Sequence, residues 1–89
     1  MQNYFDRILF IYNILTKLHI PCTMNSIFDG WQLHLPWCAG DVAAHNGTYG
    51  ESQGKVESYR FPWDDDDVTV LSPEEAAIKI IALYNEEMT

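Results

Sequence analysis

Four consecutive carboxylates, Asp64-Asp65-Asp66-Asp67, follow Trp63 directly and are the densest run of charge in the chain. Adjacent like charges repel one another, so such a run wants water, a cation or a basic partner. Between two strands it is ordinarily a solvated turn that also discourages edge-to-edge pairing. A calcium loop does not fit. With Asp64 at its first position, the obligatory glycine falls on Thr69, and Ser72-Pro73 opens a helix inside the would-be loop. What does fit is an aromatic anchor rimmed by negative charge, Trp63 beside Asp64, Asp65, Asp66 and Asp67, suited to a basic protein surface. Trp37 and Tyr49 are further candidates for that contact, because the aromatics exceed what so small a core needs, and Glu51 adds to the acidic surface.

A second constellation is the glycine-containing stretch His45 to Lys55, whose glycines would let backbone amides approach an anion. It departs from a phosphate-binding P-loop. Three residues instead of four separate Gly50 from Gly54, and Val56 follows Lys55 where a magnesium-binding Ser or Thr is required. A small-ligand or nucleotide pocket built from Thr48, Tyr49, Lys55 and Arg60 is the alternative this stretch suggests, with Trp37 or Trp63 available to stack on a base.

His19, Cys22, Cys38 and His45 are of the types that ligate zinc, but their spacing matches no standard site, so no metal is expected. Cys38 with His45 can be drawn as a thiol and base. A lone loop histidine is far more often polar surface, and no Ser, His and Asp spacing implies a triad. No catalytic residue and no cofactor are assigned, and the expectation is a protein that is not an enzyme.

The elements that must carry these groups follow from periodicity and turn chemistry. Phe5, Ile8, Leu9, Tyr12, Leu15 and Leu18 recur at helical spacing, ahead of Pro21. Asp29-Gly30 predicts a tight hairpin turn, pairing Phe28 with Trp31, Ser26 with Leu33, Met24 with Leu35 and Cys22 with Trp37. Residues 38 to 54 show no sustained period and predict one long glycine-containing loop. Lys55 to Phe61 predicts a strand with Tyr59 and Phe61 on one face, and Val68 to Leu71 predicts another. Ser72-Pro73-Glu74-Glu75 is a helix start, followed by Ala77, Ile80, Ile81 and Tyr84 on one face. The expected fold is α+β: a small single domain over residues 1 to 89, ordered α-β-β-loop-β-β-α. A three- to four-stranded antiparallel sheet would carry the N- and C-terminal helices on one face, with Trp31, Leu33, Leu35, Val68 and Val70 in the core.

The chain has 89 residues, 13 Asp plus Glu against 5 Lys plus Arg, and a formal charge of −8. That field repels phosphate and disfavours direct nucleic-acid binding, while steering the chain toward a basic partner. No apolar stretch is long enough to span a bilayer, and no secretory leader is evident, so the bacterial cytoplasm is the expected location. Very small acidic α+β domains without catalytic signatures recur among phage and mobile-element inhibitors of bacterial defence, including anti-CRISPR and anti-restriction proteins. By that analogy the expectation is an inhibitor that occupies a basic nucleic-acid-binding surface of a host protein or nuclease. A structural accessory subunit, or a homo-oligomer covering its own sheet edge, is a third class.

Overall fold

The computed structural model describes residues 3 to 88 and contains helices α1 (Tyr4–Lys17) and α2 (Pro73–Glu87). Between them lie strands β1 (Thr23–Ile27), β2 (Gly30–Leu35), β3 (Gly40–Ala44), β4 (Val56–Tyr59) and β5 (Val68–Leu71). The strands form one antiparallel five-stranded meander in the order β1-β2-β3-β4-β5. The architecture is α+β with terminal helices and the strands between them. α1 packs across β2 and β3, and α2 across β4 and β5.

Each helix starts on a side chain that accepts an orphan amide. The Asn3 side chain accepts from the Asp6 amide at 2.8 Å, and Ser72 with Glu75 completes a reciprocal capping box behind Pro73. The inward stripe of α1 is Ile8, Ile11 and Leu15, whereas Phe5 and Leu18 are exposed. Arg7 is also buried and donates to the Lys55 carbonyl at 3.1 Å. α2 buries Ala76, Ala77, Ile80 and Leu83, with Ile81 and Tyr84 half-buried against the core.

Four sequence expectations are corrected. The hairpin turn is Phe28-Asp29, with Ile27 opposite Gly30 and Met24 opposite Leu33. Gly30 is a strand residue: a Cβ there would lie 2.0 Å from the Ala44 carbonyl oxygen, so close backbone approach requires the glycine. The two-residue shift preserves the alternation, which is why Leu33 and Leu35 still face the core. Second, residues 38 to 54 are not one loop, since Gly40–Ala44 is the central strand and is buried throughout. Its side chains are short, and on the face away from the helices the longer His34, Tyr59 and Arg60 side chains cover Asp41, so burial does not alternate.

Third, Tyr59 and Phe61 face opposite ways. Tyr59 pairs with Asp41 and Val68 on the uncovered sheet face, while Arg60 at φ 71° ends the strand and Phe61 enters the core. Fourth, Val68 and Val70 share that uncovered face with Tyr59 and Glu57, and the core takes Val56 and Leu71 instead. Among the described residues, no helix is long and apolar enough to cross a membrane.

The Phe61 ring seats on Gly40, where a Cβ would lie 2.4 Å from ring atom Cε1. Gly40→Ala must therefore displace either the central strand or the ring. We expect a loss of about 1–3 kcal/mol, the usual range for overpacking, read as a lower urea midpoint at unchanged slope.

Candidate functional site

The loop joining β4 to β5, residues 60 to 67, carries the aspartates and is internally braced. Asp64 is buried. One of its carboxylate oxygens accepts from Ser58 Oγ at 2.8 Å and the other from the Phe61 amide at 3.0 Å. Ser58, fully buried on the covered sheet face, in turn accepts from the Trp63 indole at 3.0 Å. Two backbone bonds, Asp64 N to Phe61 O and Asp67 N to Asp64 O, close the loop at 3.0 and 2.9 Å. Asp64 thus belongs to the interior, and the exposed carboxylates are Asp65, Asp66 and Asp67.

Three non-glycine residues of this loop, Arg60, Asp65 and Asp66, hold positive φ of 71°, 48° and 68°. Aspartate is among the few non-glycine residues that adopt this backbone readily, so Asp65 and Asp66 suit the turn, whereas Arg60 is held there by its surroundings. The loop walls an open concavity of about 560 Å³, lined by Tyr59, Arg60 and Pro62 with Asp65, Asp66 and Asp67. On the α2 side, Trp63 stacks on Phe61 with centroids 4.4 Å apart and planes 6° apart. Lys79 lies over the Trp63 ring at 5.2 Å. Trp63 is therefore half-buried between the loop and α2.

Beside the concavity, the uncovered sheet face carries a polar network absent from the sequence expectations. His34 Nδ1 lies 2.8 Å from Asp41 Oδ1, and Arg60 approaches Asp41 Oδ2 at 3.9 Å. Gln32 donates to the Tyr59 hydroxyl. Asp41 is buried beneath these neighbours, and burial pushes the Tyr59 hydroxyl above its usual pKa. The network is not legible in the sequence, where Asp41 falls in a stretch without a sustained period. The small-residue run Gly40 to Ala44 was the available signal.

The remaining candidates are spread over the molecule. Trp37 is at the same end of the sheet, its indole donating to the Pro21 carbonyl at 2.9 Å and its ring edge-on to Tyr84. Thr48, Tyr49, Glu51 and Lys55 lie at the opposite end, before β4 begins. Thr48 is buried in a local turn, its hydroxyl donating to the His45 carbonyl at 2.8 Å. Tyr49 is exposed, with its amide held by Glu57 at 2.7 Å. Lys55 and Arg60 flank β4 and are about 16 Å apart at the rise of an extended strand, so the four ligand candidates do not converge on one pocket. Glu51 accepts from the Tyr4 hydroxyl and the Gly47 amide, and these bonds hold its carboxyl below the usual range.

Cys22 and Cys38 are free thiols, raised in pKa by burial. Among the described residues, no three His, Cys, Asp or Glu side chains are grouped to hold a metal ion.

Asp64→Ala leaves the Ser58 hydroxyl and the Phe61 amide without their acceptor, and we expect a loss of about 1–3 kcal/mol. Asp64→Asn should lose less, because its oxygen can serve Phe61 while the Ser58 hydroxyl turns to accept; paired urea titrations read the difference. Acid should also act through Glu75 and Glu51. Glu75 is lowered by the Ser72 amide and hydroxyl, as Glu51 is by its own donors. A depressed carboxylate contributes stability above its unfolded pKa of about 4.3 and loses it as pH falls through the lower folded value. The urea midpoint should therefore drop below about pH 4.3, and less steeply for Glu75→Gln combined with Glu51→Gln. Compared with protein-family models, curated proteins and solved structures, the chain matches none.

Proposed function

We propose that this chain is a stoichiometric protein-binding inhibitor. It lays the Asp65 to Asp67 loop on a basic surface that another protein uses to hold nucleic acid. The observation that supports this reading is the braced loop itself. It holds three adjacent carboxylates in solvent, braced from within by Asp64, in a chain of formal charge −8. A surface built for phosphates attracts such a row, and the net charge speeds the encounter. The same field opposes direct binding to DNA or RNA.

The partner class we favour is a nuclease of bacterial defence, which makes the chain an anti-CRISPR or anti-restriction protein of a phage or mobile element acting in the bacterial cytoplasm. The contact surface would comprise Asp65, Asp66 and Asp67, the neighbouring face of Tyr59 and Arg60, and the exposed edge of Trp63. Asp64 contributes by shaping the loop.

The test is an affinity capture from bacterial lysate at low and high salt, with wild type and an Asp65→Asn, Asp66→Asn, Asp67→Asn variant. The variant should fold as wild type, within about 0.5 kcal/mol, since these side chains are exposed. The expected result is a nucleic-acid-binding protein captured by wild type, released by salt and absent with the variant. Purified wild type should then block nucleic-acid binding by that protein at one-to-one stoichiometry. Capture that is indifferent to both salt and the variant would defeat the reading.

A further inference from the structure

We propose that Asn46 and Gly47 form a self-modification site, at which the Gly47 nitrogen displaces ammonia from the Asn46 side chain with His45 and Glu51 assisting. The inference stands apart from the proposed function, whose loop lies at the other end of β4.

Asparagine is a heat-labile residue because its side-chain amide carbon lies within reach of the next backbone nitrogen. Closing that ring is intramolecular, so its rate depends on how the two groups are held and on how easily the nitrogen loses its proton. A following glycine favours the reaction, since no Cβ obstructs the approach. Asn46-Gly47 is the only Asn-Gly step in the chain. The other asparagines sit in or against regular structure, Asn13 in α1, Asn25 in β1, Asn85 in α2 and Asn3 at the cap of α1.

Asn46 and Gly47 are both exposed. The His45 carbonyl accepts from the Thr48 amide at 3.0 Å, which makes Asn46 and Gly47 the central pair of a tight turn. Gly47 holds φ 102°, and nothing lies within 4 Å of the place a Cβ would occupy.

Two contacts act on the peptide group that must react. His45 Nδ1 lies 2.9 Å from the Asn46 backbone oxygen, and because a carbonyl oxygen only accepts, the ring donates. When the Gly47 nitrogen gives up its proton, negative charge spreads onto that same oxygen, where the imidazole N–H stabilises it. The Gly47 N–H itself donates to Glu51 Oε1 at 3.2 Å, an acceptor in place for the departing proton. Both groups are held. The His45 ring packs on Phe28 with centroids 5.1 Å apart, Asp29 accepts from the Asn46 amide at 3.0 Å, and Tyr4 donates to Glu51.

The chemistry balances with water as its sole co-reactant. The Gly47 nitrogen bonds to Asn46 Cγ and passes its proton to the Glu51 carboxylate. The Cγ–Nδ2 bond then breaks, and Nδ2 leaves as ammonia with that proton. Water opens the cyclic imide at either carbonyl, leaving aspartate or isoaspartate at position 46. Either product adds a negative charge where the chain already meets Asp29 and Glu51. Isoaspartate also lengthens the main chain by one carbon and so draws the Gly47 amide away from Glu51.

Fragment-ion mass spectrometry of the purified full chain, incubated at neutral pH and physiological temperature, tests the proposal beside a sample kept unfolded in guanidinium chloride. The native chain should gain, at position 46 alone, the mass by which a hydroxyl exceeds an amino group, and isoaspartyl methyltransferase should label the product. His45→Phe keeps a ring against Phe28 but has no donor, and should slow the native reaction about two- to tenfold, the worth of one exposed hydrogen bond. His45→Leu gives the same answer should the larger ring disturb the turn. Asn46→Gln should abolish the reaction with the circular dichroism unchanged. A native chain that stays unmodified while the unfolded sample converts overturns the proposal, as does a native rate that loss of the His45 donor leaves unchanged.

Discussion

The carboxylate of Asp64 is the contact on which the rest of the loop end depends. It lies in the interior with both oxygens used, one by the Ser58 hydroxyl and one by the Phe61 amide. A buried carboxylate without such donors would be costly, and with them it fixes the loop more tightly than apolar packing alone. Its effects can be followed outward. Turning the chain at Phe61 sends that ring into the core, onto the bare backbone of Gly40 in the central strand. Trp63 then stacks on Phe61 and donates to the same Ser58, and Lys79 of α2 closes over the indole. One carboxylate thereby couples the middle of the sheet, the β4–β5 loop and the second helix.

The same bracing has a consequence at the surface. Asp65 and Asp66 are held in left-handed backbone, and their side chains, with that of Asp67, stay in water beside a concavity. Mutual repulsion among three exposed carboxylates would open an unsupported loop. Here the interior contacts oppose it, so the charges form a fixed array. A fixed array loses less freedom on meeting a partner than a mobile tail of equal charge.

Charge is distributed unevenly around the sheet. The β5 edge and the loop end carry carboxylates, whereas β1 and the turn leading into it carry no formal charge from Leu18 to Phe28. The uncovered sheet face is different again, with polar side chains that satisfy one another, His34 with Asp41 and Gln32 with Tyr59. The molecule therefore presents three surfaces of distinct chemistry: an acidic end, a neutral edge and a sheet face where internally paired polar side chains lie beside Val68 and Val70. Each favours a different kind of encounter.

Much of this was readable from local pattern, where short-range physics decides. Helical spacing located α1, and Ser72-Pro73-Glu74-Glu75 located the start of α2, because caps and periodicity act within a few residues. Alternation assigned Leu33 and Leu35 to the core despite a hairpin register that was off by two residues, since an even shift does not exchange faces. The central strand was hidden. Gly40 to Ala44 lacks alternating burial because Phe61 covers Gly40 on one face while His34, Tyr59 and Arg60 cover Asp41 on the other, and of these only His34 is near in sequence. The four aspartates show the same limit most plainly. They are chemically identical and adjacent, so no local rule distinguishes them, and their selection depends on where Ser58 and the Phe61 amide stand once the sheet has formed. Composition and spacing determined that this chain carries a dense acidic turn between two strands. Tertiary structure alone decided that Asp64 turns inward as a brace while Asp65, Asp66 and Asp67 remain in solvent, because only one carboxylate can reach the buried donors.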